Sequence, residues 1–340
     1  MHGFNLIELM VALTIGLIIL AAVSSLFINS KQTYTTQDSL ARLQENARFA
    51  MQFLTKDIRL AGYFGCLDEM YGASPGVALA GGLTFNTNAT VPFEGVENAS
   101  GTWAPSGSAQ PASMKAGTDA IAIRMSDLGA WANVTPGMLN GSSNISVNTV
   151  TPFAINDIVV ISDCASADIT QISGIAGTQL THDIAFPLQK AYSAPAARVY
   201  RIATRRYFVQ INAKGTPALF RDDDGVVTDD DEFVEGIENL KILYGEDTDT
   251  PATDLTDGVP NVYRRANAVV NWSKVVSVRI GILARTLDQK NTDVDNGNYD
   301  VDGDCPSGAL AGDPCYEVTA PGDRFRRRVF QTTVQLRNML

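Results

Sequence analysis

The sequence predicts an α+β protein in which one long amino-terminal helix packs on a β-rich domain with an antiparallel sheet. Three observations carry that prediction. From Leu9 to Phe27 the chain has no charged residue, and at about 1.5 Å per residue such a run crosses a hydrocarbon core of roughly 30 Å. Leu40, Leu43, Ala47, Ala50, Leu54, Ile58 and Ala61 then recur at three- and four-residue steps, the spacing of one helix face. Late segments such as Val276-Ser277-Val278-Arg279-Ile280 and Thr332-Thr333-Val334-Gln335-Leu336 alternate apolar with polar residues, as half-buried strands do.

After Ile28 nothing breaks a helix until Gly62, and the first proline is Pro75. The helix is therefore expected over residues 4–62, with a membrane-spanning part at 4–28 and an amphipathic part beyond it. From Phe4 to Ala61 it would measure about 87 Å. Only its second half has an apolar stripe to lay against a soluble domain, so the first half protrudes. Arg42, Glu45, Arg48, Lys56, Asp57 and Arg59 are assigned to the more polar faces. Gly62-Tyr63-Phe64-Gly65-Cys66 ends the helix, with glycines where the chain turns away.

Residues 63–340 form the β-rich globular part. Tyr71 to Thr118 is rich in Gly, Ala, Ser, Thr, Asn and Pro and reads as loops and short strands, within an insertion-like segment near 71–151. Extended segments follow at Asp119–Met125, Asp157–Ser162, Ala197–Ile211, Ala218–Arg221, Ile237–Tyr244, Val275–Thr286 and Arg328–Leu336. No linker divides residues 62–340 into independent domains.

The net charge of −11 argues against general nucleic-acid binding and against adhesion of the soluble part to anionic lipid. Cys66, Cys164, Cys305 and Cys315 all follow the apolar run and form no CxxC pair. With only two histidines in the chain, a zinc site has little to build on. Two disulfides in an oxidising compartment are the simplest reading. Four cysteines allow three connectivities. The stretch between Cys305 and Cys315, with a proline next to each cysteine and glycines inside, suits a tight loop and favours that pair, which leaves Cys66 for Cys164.

Glu8 is a lone carboxylate near the start of the apolar run, where an unpaired ionised group costs on the order of several kcal/mol. No Lys or Arg precedes Lys31, so the cation that could lie close by is an α-amino group. A Gly followed by Phe4-Asn5-Leu6-Ile7-Glu8-Leu9 and an unbroken apolar helix resembles the class III signal of type IV pilins and of type II secretion pseudopilins. The resemblance implies a type IV pilin fold, a leader at residues 1–3, and a prepilin peptidase that cuts between Gly3 and Phe4 and methylates the new terminus. Glu8 then becomes the residue whose carboxylate docks on the amine of a neighbouring subunit. The leader Met1-His2-Gly3 departs from the pattern in being short and lacking Lys or Arg.

Further blocks narrow the resemblance to the PilW-type minor pilins, which are similar to the J-type pseudopilins. They are Asp57 to Cys66, Ser162-Asp163-Cys164, Val234 to Gly245, Trp272 to Arg279 and Thr332 to Asn338. What they imply is a subunit near the pilus tip that helps start assembly and supports adhesion and twitching motility. Its implied partners are other minor pilins, the major pilin, a tip adhesin, the prepilin peptidase, the inner-membrane assembly platform, and the lipid bilayer before assembly. The implied location is the inner membrane, single-pass with a periplasmic carboxy-terminal domain, and then the fibre at the cell surface. Presence of Glu8 implies a place below the tip, because the subunit at the very tip commonly lacks the acid. A J-type minor pseudopilin of type II secretion and a membrane-tethered calcium-dependent adhesin are the alternative functions.

Candidate chemistry is sparse. Asp293-Val294-Asp295-Asn296-Gly297-Asn298 opens like a calcium loop, but the glycine comes one residue early and the closing position falls on Asp304. Asp293, Asp295, Asp300, Asp302 and Asp304 are the calcium candidates, in what reads as a solvated acidic loop. No other cofactor is expected. Asp222-Asp223-Asp224-Gly225 and Asp229-Asp230-Asp231 read as turns. Arg324, Arg326, Arg327 and Arg328 form one basic run, read as an exposed strand face or subunit contact; nucleic acid is not favoured. No Gly-x-Ser-x-Gly elbow or phosphate-binding glycine loop occurs, so the expectation is a structural protein and not an enzyme.

Overall fold

The computed structural model of the chain describes residues 6–65, 75–79, 91–99, 101–111, 113–223, 231–249, 258–289, 293–306, 309, 315–336 and 338. One helix, α1 (Leu6–Leu60), opens the chain. It stops where Gly62 takes φ 73°, a left-handed conformation that glycine adopts without steric cost. The Gly62 N–H then donates to the Arg124 carbonyl at 3.0 Å, turning the chain onto the sheet.

The strands follow in three groups. β1 (Gly76–Ala78), β2 (Phe93–Val96) and β3 (Ala120–Asn133) come first. β4 (Ile145–Ser146), β5 (Ile158–Ser162), β6 (Ala167–Gln171), β7 (Gly174–Ala176) and β8 (Gln179–Thr181) build the end remote from α1. β9 (Arg198–Ile211), β10 (Pro217–Asp222), β11 (Asp231–Glu235), β12 (Ile237–Glu246), β13 (Val262–Arg264), β14 (Val275–Arg285), β15 (Asn298–Tyr299), β16 (Val318–Thr319) and β17 (Arg327–Gln335) return to it. All seven segments expected to be extended contain strands, and β3 runs on to Asn133.

Two larger sheets result. The first holds eight strands, with β9 as its spine: β9 pairs β3 along one edge and, along the other, β5 and then β10. The second has the order β13-β12-β14-β17. Pairing is antiparallel throughout, except for the parallel pair β1–β6. Within residues 71–151, β2 and β3 are structural parts of the main core, to which they supply Phe93, Ile121, Ile123 and Met125.

That core lies where α1 crosses both sheets. Leu43, Ala47, Ala50, Leu54 and Ile58 are buried against alternate residues of the strands, among them Leu240 and Ile242 of β12 and Val278, Ile280 and Ile282 of β14. The small side chains of Ala47 and Ala50 let the helix lie close to the sheets. A second core, with Val134, Ile145, Val147, Ile161, Leu180, Tyr192 and Val199, fills the remote lobe.

Asp57 corrects the sequence reading. It is buried within the stripe and not on a polar face, because its partners are supplied by β9, far away in sequence. Leu54→Ala is expected to lower unfolding stability by about 2–5 kcal/mol through lost burial and an unfilled cavity. Exposed Arg48→Ala should stay within about 0.5 kcal/mol of the parent. Denaturant unfolding of the detergent-solubilised chain measures both.

Candidate functional site

The first half of α1 lies bare. Large apolar side chains from Leu6 to Ile28 are exposed, from 50% at Val11 to 73% at Leu6. This is the one described helix long and apolar enough to cross a membrane. Glu8 sits in a shallow groove with Ile7, Val11, Ala12 and Ile15, and it makes no ion pair among the described residues. Gly3 and Phe4, the expected processing residues, lie outside the described residues.

A polar joint fixes the second half. Asp57 accepts from Tyr207 Oη at 2.5 Å and from Arg205 Nη1 at 2.9 Å. Burial, and then the charge of Asp57, push the Tyr207 hydroxyl well above the usual phenol range. Burial weakens the Arg205 guanidinium's hold on its proton, but Asp57 and Asp223 outweigh it and raise the group overall. Tyr207 therefore stays a hydrogen-bond donor and Arg205 stays charged over the ordinary pH range.

Cys305 and Cys315 are bonded, with Cα atoms 5.1 Å apart, the pair favoured by the loop sequence. Cys164 is also disulfide-bonded, and Cys66 lies outside the described residues.

The acidic stretch is no solvated loop. Asp295 Oδ2 accepts from Arg327 Nη1 at 2.9 Å and from Tyr299 Oη at 2.8 Å. Arg327, whose side chain is wholly buried, also binds Asp323 at 2.6 Å and Glu238 at 2.6 Å. Alternation along β17 turns it toward the acids, so the expected exposed basic run is interrupted at its third member. Hydrogen bonds from the Gly297 N–H, Arg327 and Tyr299 outweigh burial and hold the Asp295 carboxyl low. Asp293 is exposed. Asp222, read as part of a turn, is instead the buried end of β10 and pairs with Arg206; Asp224, Gly225, Asp229 and Asp230 lie outside the described residues.

Asp300, Asp302 and Asp304 gather with Glu317, each offering an oxygen within 4.8 Å of the others. Such oxygens suit calcium. Arg265 already supplies positive charge there: its Nη2 lies 2.7 Å from Asp302, 3.2 Å from Asp304 and 3.1 Å from Glu317. Sequence reading missed Arg265 and Glu317, which reach the cluster from distant segments. Burial, followed by the charge of Glu317, pushes the Asp302 carboxyl up to about 8, against the pull of Arg265.

A carboxyl raised in the folded state favours folding most below its unfolded value of about 4 and loses that contribution as pH rises toward the folded one. Between about pH 5 and 8 the Tm of the chain is expected to fall through this group, and Asp302→Asn should flatten the decline. Thermal unfolding in matched buffers checks it.

Comparison with known proteins places these features. No curated protein matches the chain. Among solved structures, a type IV-like pilin from Thermus thermophilus aligns at 13% identity and a TM-score of 0.27, over 55% of this chain and 86% of that one. Residues 206–338 match the family described as type IV pilus-assembly protein W, a span running from β9 to just past β17. Residues 206–338 are thus similar to the PilW family of type IV pilus proteins, and the long apolar helix is seated on strands of that span.

Proposed function

We propose that the chain is a minor pilin that takes part in initiating the type IV pilus and forming its tip complex, at a place below the tip, in support of adhesion and twitching motility. The observation that carries this reading is Glu8: a lone acid on an apolar helix surface that the chain's own globular part leaves uncovered.

Before assembly, residues 4–28 lie in the inner membrane and the globular part in the periplasm. Cleavage between Gly3 and Phe4 creates a positive terminus on each subunit. In the fibre, apolar helix surfaces bury one another, and Glu8 meets the terminal amine of a neighbour. Low dielectric makes the pairing selective, since either charge left alone in the bundle is costly by several kcal/mol. Other minor pilins, the major pilin and a tip adhesin are the partners this reading requires.

Glu8→Ala is the test. Incorporation into sheared pili, measured by immunoblot, should fall while the globular part keeps its Tm. Parental levels of incorporation and piliation would overturn the reading. Deletion separates the two secretion-related roles: loss of twitching supports the pilin, whereas loss of enzyme secretion with twitching intact assigns the chain to a type II system.

A further inference from the structure

The two large sheets meet at a cluster of groups that the assembly function does not use. Lys241, in β12 of the second sheet, is buried with 1% exposure. Its Nζ donates to Oδ1 of Asn98, two residues beyond the end of β2 in the first sheet. It also lies 3.3 Å from Oδ1 of Asp119, which is 3% exposed. The arrangement is held from three sides. The Asn98 N–H donates to Asp119 Oδ1 at 2.9 Å, the Ile242 N–H donates to Asp119 Oδ2 at 2.9 Å, and the Asp119 N–H donates to the Leu240 carbonyl at 2.8 Å. Beside it, the fully buried Tyr244 presses on Gly95, where a side chain would have no room. Amine and carboxyl group are thus buried together, with the carboxamide of Asn98 held against them.

We propose that Lys241 and Asn98 join in an intramolecular isopeptide bond, with Asp119 as the proton relay. The step balances without an oxidant or co-reactant. The Lys241 ammonium passes a proton to Asp119, and the freed Nζ adds to Cγ of Asn98, one bond from the oxygen it already contacts. Asp119 delivers its proton to Nδ2 and takes one from Nζ. The Cγ–Nδ2 bond breaks, ammonia leaves, and Asp119 remains as the neutral acid.

Three properties suit the site to this reaction. Fixed proximity replaces a bimolecular encounter. Burial is the leading influence on Asp119 and raises its affinity for a proton, which favours transfer from the ammonium. Asn98 itself is exposed, so ammonia has a route out. The product would tie two sheets across 143 residues of chain, independently of the disulfides.

The test is peptide mass mapping of the full chain, purified in detergent, with disulfides reduced and alkylated before trypsin digestion. A bond at Lys241 blocks cleavage there, so residues 60–115 and 222–264 should appear as one linked species, lighter than their sum by one ammonia. The linked species should vanish in Lys241→Arg and in Asp119→Asn. Recovery from the parent chain of residues 60–115 unlinked, with 222–241 and 242–264 separated by cleavage after Lys241, overturns the proposal, and this holds even if either variant fails to fold. A linked species lighter by one water also overturns it, because that loss assigns the bond to a carboxyl group and not to Asn98.

Discussion

The Asp57 carboxylate, buried in an apolar helix stripe and gripped by Tyr207 and Arg205, is the contact on which the molecular architecture depends. Apolar burial alone would press α1 onto the sheets but would constrain sliding and rotation weakly, since Leu, Ile and Ala contacts have little directionality. An ion inside that stripe changes this. Moving it away from its two β9 partners would leave a buried charge unpaired, a loss of about 3–5 kcal/mol by comparison with other broken buried pairs. Since Arg205 is one-quarter exposed, the cost here lies toward the lower end. The joint sets register, and the surrounding side chains supply the bulk of the adhesion.

Similar logic recurs in the domain. Glu94 and Arg124 are wholly buried as a pair in neighbouring strands β2 and β3. Arg206 is matched to Asp222 across β9 and β10, and Arg327 to acids from three segments. Replacing such pairs by apolar residues is often neutral or stabilising in proteins, so their number says little about stability. They do restrict which strands can lie together. In a sheet core rich in Val and Ile, a shift of pairing would leave several charges unmatched at once.

Much of the fold was legible in the sequence because its signals are local. The charge-free run, the stripe from Leu43 to Ile58 and the alternation in β14 and β17 each declare themselves within a few turns or residues. What escaped is decided by distant partners. In β6, Asp168 looks like a turn residue, yet it is buried and accepts from Tyr192 Oη at 2.8 Å. In β2, Phe93-Glu94-Gly95-Val96 lacks alternation because all four residues are buried. Asp57, Arg327 and Asp302 were assigned to solvent for the same reason: nothing near them in sequence reveals Arg205, Asp323 or Arg265. In the candidate site, Glu8 was legible as a charge out of place, whereas Arg265's hold on the acidic cluster was not.

The division of the domain into two cores bears on what an assembly protein can vary. Residues 206–338, the part that matches the family, contain the strands β11, β14 and β17 against which α1 lies, together with the last six residues of β9. The remote lobe falls before that span, and its core shares no side chain with the one beneath the helix. Changes in packing or loop length there need not disturb the helix seat, since contacts without shared neighbours contribute nearly independently. The seat is under the opposite constraint. A bare apolar helix can be buried only beside others of its kind, and its direction relative to the globular part then fixes where that part stands. Tolerance at the remote end and rigidity at the joint therefore follow from one arrangement of side chains.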